Sequence, residues 1–143
     1  MPTSPIVLGL IALTLGISLL ALWKGTFAER VGGAIVGANV VLSILSGLLL
    51  PDSAQALARL TLDGLTAIGL LIITVSFASF WLGGVMLLYA VQFSLHAFYI
   101  VTSRPVDMLY IWINNLNFLG ISACLLDCPG ARLLARLQPR LLA

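Results

Sequence analysis

Charge is scarce in this sequence. Only 8% of its 143 residues are Asp, Glu, Lys or Arg and 61% are hydrophobic, where an ordinary soluble domain carries about 25% charged residues. So few polar side chains cannot cover that much apolar surface in water, and no stretch is left over for a separate water-exposed domain. The net charge of +2 is too small to point to a nucleic-acid partner. Cysteine and histidine are scarce as well: there is one histidine and there are two cysteines. Cys124 and Cys128 are spaced to share one helix face, but with only Asp127 between them they do not complete a metal site. No metal or other cofactor is expected. The opening MPTSPIVLGL has neither the positive region nor the following cleavage site of a secretory signal, so it is expected to stay attached. No phosphate loop, nucleophile elbow, zinc motif or catalytic carboxylate pair is present. One histidine and two thiols without a base and its orienting partner do not make an enzyme.

What is present is a set of long uncharged runs, with a mean hydropathy of +1.14. Several are close to the ~20 residues that cross hydrocarbon, and none alternates as a barrel strand would. The expected fold is therefore all-α and integral to a membrane: one domain, residues 1–143, forming a bundle of transmembrane helices. The first span is read at 6–23, ending at Lys24, and the second at 31–50, between the pair Glu29 and Arg30 and the breaker Pro51. DSAQALARLTLD is read as a short interfacial helix capped by Asp52 or Ser53, with Arg59 and Asp63 keeping it in contact with water. From Gly64 to Ser103 there is no charge; as one helix this run would be about 60 Å long, twice the hydrocarbon thickness. It is divided into spans at 64–79 and 82–102, folding back within SFASFWLGG, where Trp81 suits the headgroup level and Gly83 and Gly84 loosen the helix. After the turn SRPVD a fifth span covers 108–126.

The basic residues orient the bundle. With the C-terminus cytoplasmic and the N-terminus outside, the inner side holds Lys24, Arg30, Arg132, Arg136 and Arg140 and the outer side only Arg59 and Arg104. The tail 130–143 repeats arginine every four residues between leucines, a basic amphipathic pattern suited to an anionic membrane surface and expected to end early at Pro139.

Polar residues inside spans turn away from lipid, so their spacing carries information. On span four Tyr89, Gln92, His96 and Tyr99 form one helical stripe, as do Tyr110, Asn114 and Asn117 on span five. Span two contributes Asn39, on a stripe with Gly32, Val36, Ser43 and Ser46. Spans four and five should form an antiparallel hairpin, which pairs Tyr99 with Tyr110, His96 with Asn114 and Gln92 with Asn117, with Asn39 reaching the same seam. Asn115 points away from Asn117 and shares a face with Ser122; that face must meet span one, span three or another chain, and makes both residues candidates for facing a partner. Gly33 with Gly37, and Gly9, Ala12 and Gly16, are small-residue stripes that permit close helix contact.

AERVGGAIVGANVVLSIL followed by FWLGGVMLLYAVQFSLHAF resembles small polytopic membrane proteins of alphaproteobacteria over residues 28–126. The resemblance implies a bacterial inner-membrane location and brings no activity, so no residue role comes from it. The function expected is non-catalytic: an accessory or assembly subunit of a larger membrane complex, or a homo-oligomer, with the bilayer and other subunits or itself as partners. The other reading is a small transporter or a quinone- or lipid-binding protein that uses the seam around His96. As structural glue the seam's bonds are worth around 0.6 kcal/mol each. As a site it combines a histidine with amides and tyrosines. No acidic residue is expected deep in a span, which argues against a proton pump or cation coupling.

Overall fold

The computed structural model describes residues 5–141, with side chains described for residues 5–126 except Asp52. Cys128 and the tail cations Arg132, Arg136 and Arg140 lie outside the residues whose side chains are described. Five helices follow one another: α1 (Pro5–Lys24), α2 (Phe27–Leu49), α3 (Asp52–Phe77), α4 (Phe80–Val101) and α5 (Met108–Leu141). All five are long and apolar enough to cross a membrane, and there is no strand among the described residues. Each helix packs mainly on its neighbours in sequence, and α5 returns to α1, closing a ring. Span one is thus part of the bundle.

Three segments differ from the sequence reading. Residues 52–63 are not a separate interfacial helix but the first half of α3. Of the two charged side chains expected to hold them in water, Asp63 turns inward and is buried, whereas Arg59 is only half-buried. The fold-back does fall within SFASFWLGG, but Ala78 makes it, in the left-handed conformation (φ 46°, ψ 44°), with its N–H bonded to Thr74 O. Gly83 and Gly84 lie inside α4. A Cβ at Gly84 would sit 3.4 Å from Cys124 Sγ, an ordinary van der Waals contact between α4 and α5. α5 continues to Leu141, taking in the segment read as a separate tail; its Ala, Leu and Arg residues favour helix strongly.

Close packing fixes α1 on α2. A Cβ at Gly33 would meet Ala21 Cβ at 2.9 Å and Ser18 O at 3.1 Å, and one at Gly37 would meet Ser18 Cβ at 3.3 Å. These glycines act as the GxxxG pattern implies. Gly9 and Gly16 do not: nothing lies within 4 Å of a Cβ at either, and α1 meets its neighbours through Thr14, Ile17, Ser18 and Ala21. At the turn into α2, Glu29 accepts the Thr26 N–H at 2.7 Å and the Arg30 Nε–H donates to Gly25 O at 3.0 Å. Both ends of the charged pair are thereby satisfied by backbone that would otherwise be unpaired.

The interior is divided along its length. Ile17, Val36, Leu70, Leu82, Val85, Ile121 and Leu125 fill the half nearer the α1–α2 and α3–α4 turns. The other half, towards the α2–α3 and α4–α5 turns, holds Asn39, Asp63, Thr66, Gln92, His96, Tyr99 and Asn117, all buried. The outward surface is leucine, isoleucine, valine and phenylalanine, as a lipid-facing surface requires.

Candidate functional site

Within the polar half the side chains sort into two layers. The inner layer is closed on itself. Gln92 donates to Asn114 Oδ1 and accepts from Asn117 Nδ2 at 2.7 Å, and Asn117 also donates to Leu88 O at 2.8 Å. The pairing of Gln92 with Asn117 is the one expected of the hairpin. Its amides satisfy one another, so the layer works as register-fixing glue. Tyr89 lies deeper on the same stripe, 2% exposed, with a buried hydroxyl that has no hydrogen-bond partner among the described residues.

The outer layer contains the charge. His96 does not reach Asn114; one turn further out than Gln92, it meets α3. Its Nδ1 lies 2.7 Å from Asp63 Oδ2, at ion-pair distance, although the ring N–H and the carboxylate are not aligned for a hydrogen bond. Asn39 Nδ2 donates to Asp63 Oδ1 at 3.3 Å and to Thr66 Oγ1 at 2.9 Å. So Asn39 joins the seam as expected, through Asp63 rather than through the hairpin. An acidic residue does lie deep in a span, contrary to the sequence reading. Asp63 is 5% exposed between α2, α3 and α4. A carboxylate is sustainable there because a buried charge can be retained when it is paired and hydrogen-bonded.

Above this pair the bundle opens. His96, Tyr99 and Tyr110 line a pocket of about 540 Å³ together with Gln55, Arg59 and Arg104. The His96 and Tyr110 rings are 5.7 Å apart and those of Tyr99 and Tyr110 5.0 Å apart, edge to face. Arg59 lies beside the Tyr110 hydroxyl. At the rim Asp107 caps α5, accepting the Tyr110 N–H at 2.9 Å and the Tyr99 hydroxyl. A groove of about 610 Å³ between α2 and α3 is lined mainly by leucines and lacks convergent polar groups. It has the character of lipid-facing surface rather than of a site.

The Tyr99 hydroxyl, then the Tyr110 N–H, hold the Asp107 carboxyl below the usual carboxylate range. Because the folded value is depressed, the carboxylate's contribution is complete above the ordinary value and is lost as pH falls through the folded one. Thermal melts should therefore lose stability below about pH 4, and Asp107→Ala should remove that part of the acid dependence. An identical acid slope in the variant would show that the rim bond contributes nothing.

The face assigned to a partner separates into its two residues. Ser122 is 1% exposed and its hydroxyl lies 3.0 Å from Thr14 Oγ1, so it faces α1 rather than outward. Asn115 is half-buried and its side-chain amide makes no hydrogen bond among the described residues. Asp63, Thr66, Arg59 and Arg104 were not read as site residues. A signal for three of them was present: Gln55, Arg59, Asp63, Thr66, Leu70 and Ile73 recur every three or four residues, which places them on one face of a single helix. Compared with known protein families, curated proteins and solved structures, the chain matches none.

Proposed function

We propose that this small multi-pass membrane protein is a non-catalytic binding protein, with its ligand site in the pocket floored by His96. One observation carries the reading: the His96–Asp63 pair lies beneath an open pocket, whereas the amide layer below it is closed. Glue has no use for an opening of this size lined by two guanidinium groups, two phenols and an imidazole. The apolar layer of Val36, Leu70, Leu82 and Val85 beyond the seam favours binding from one face over a continuous pathway. By the distribution of basic residues the pocket opens on the outer side, with the C-terminus cytoplasmic. The resemblance to alphaproteobacterial proteins would place it in a bacterial inner membrane.

Native mass spectrometry of the gently extracted chain, released from lipid nanodiscs, tests this. A stoichiometric small-molecule adduct is expected, and His96→Ala should reduce it strongly while the protein stays assembled. No adduct, or one indifferent to His96→Ala, would remove the reading.

Asn115 favours a second reading, that of an accessory or assembly subunit or a homo-oligomer. A half-buried amide without a partner, flanked by the exposed Trp112, Leu116 and Leu119, is suited to a contact with another transmembrane helix. Under that reading Asn115→Leu weakens association more than Asn114→Leu does, and equal retention of partners in both variants would argue against it.

A further inference from the structure

The pocket lining holds two guanidinium groups and no carboxylate. Asp63 is committed to His96 and Asn39, and Asp107 to Tyr99 and the first turn of α5. Neither Arg59 nor Arg104 makes an ion pair with a described carboxylate. Arg59 comes from the second turn of α3 and is half-buried; Arg104 comes from the α4–α5 turn and is exposed. Both line the same pocket, and the Tyr110 hydroxyl lies beside Arg59. With Nδ1 turned to Asp63, the His96 ring has Nε2 left for whatever enters. We propose that this pocket holds a phosphate group, gripped between Arg59 and Arg104 over the His96 and Tyr110 rings.

The number and geometry of the donors distinguish phosphate from carboxylate. One planar guanidinium satisfies both oxygens of a carboxylate; two guanidinium groups converging from different segments, with a phenol and an imidazole, suit a tetrahedral anion with three or more oxygens. The position of the pocket fits a headgroup. It lies at the ends of α4 and α5, and its remaining lining includes Ala56, Ile100 and Val106, all exposed where lipid would be. The phosphate can be that of a bilayer lipid or that of a water-soluble ester, since both present the same oxygens.

This inference rests on the pocket reading, and the test separates the two. The full chain, delipidated in a neutral detergent, is titrated with phosphatidic acid, with a fatty acid of the same chain length and with glycerol 3-phosphate, and occupancy is read by native mass spectrometry. One phosphatidic acid per chain is expected, bound more tightly than the fatty acid. Arg59→Met and Arg104→Met should each weaken it about tenfold, the scale of one charge-assisted bidentate contact. Lys24→Met, at the opposite end of α1, should leave it unchanged. Arg104 is exposed on a turn, so its removal leaves the fold in place; a melting curve checks this for both arginine variants. If glycerol 3-phosphate binds as tightly as the lipid, the occupant is a soluble phosphate ester; if only the lipid binds, it is a headgroup. Either outcome supports the phosphate site. Fatty acid binding as well as phosphatidic acid, or binding unaffected by both arginine substitutions, overturns it. An adduct lost in His96→Ala but indifferent to the arginines would leave the pocket reading standing and end the phosphate one.

Discussion

Asp63→Ala is expected to destabilise the bundle by about 3 kcal/mol, near the lower end of what removal of one partner from a buried ion pair costs. The carboxylate accepts from Asn39 of α2 and faces His96 of α4 from its own position on α3. Its loss leaves two buried polar side chains from two other helices without their partner, in surroundings with little water to replace it. Asp63→Asn should cost less, because an amide oxygen still accepts from Asn39 while the charge facing His96 is lost. The measurement is unfolding in mixed micelles by increasing SDS. His96→Ala in the Asp63→Ala background should cost less than His96→Ala alone, since the two share one interaction. An Asp63→Ala protein within about 0.5 kcal/mol of the parent, the range of ordinary surface substitutions, would mean that this side chain is solvated after all.

Gln92→Leu is the second large effect, at about 2 kcal/mol. Gln92 is the centre of the inner layer, donor to Asn114 and acceptor from Asn117. Leucine is apolar and one atom shorter, and removes both bonds. Membrane-embedded hydrogen bonds average about 0.6 kcal/mol each, and the larger figure follows from leaving two amides partly unpaired. Asn117 retains its bond to Leu88 O, which limits the loss. The same unfolding assay reads it, with Asn115→Leu as a comparison in which the isolated chain should change little. A Gln92→Leu protein as stable as the parent would show that the amide layer does not hold α4 to α5.

Much of this was legible in the sequence. Four uncharged runs, one of them long enough for two spans, specify five helices, and the spacing of Tyr89, Gln92, His96 and Tyr99 gives the buried face of α4 because period and burial are the same constraint in a membrane helix. The pairing of Gln92 with Asn117 follows from hairpin register alone. Asp63 was misread for a physical reason: a charge eleven residues into a helix reads as a contact with water unless its neutralising partners are known, and those lie 24 and 33 residues away on other helices. The same holds for Arg59 and Arg104. Each alone is an orienting charge at a membrane surface, and only the packing of α3 beside the α4–α5 turn puts both in one pocket. Gly83 and Gly84 were assigned to the turn because glycine permits unusual backbone angles. The chain instead takes such an angle at Ala78, and Gly84 lies inside α4, facing Cys124 of α5.

The ring closes with an odd number of helices. Each of the four connections reverses the chain, so neighbours joined by a turn are antiparallel, but α1 and α5 then run in the same direction. The wall of the bundle therefore has one parallel joint, and no turn spans it. Four joints can form as hairpins, each from adjacent stretches of chain as it enters the bilayer. The fifth must wait until α5 arrives more than a hundred residues after α1, as the separation of 108 residues between Thr14 and Ser122 records. Side chains alone hold that joint, Thr14 and Ser122 among them. It is the natural place for the barrel of helices to part, and the first interface another transmembrane segment would have to replace in order to insert itself into the ring.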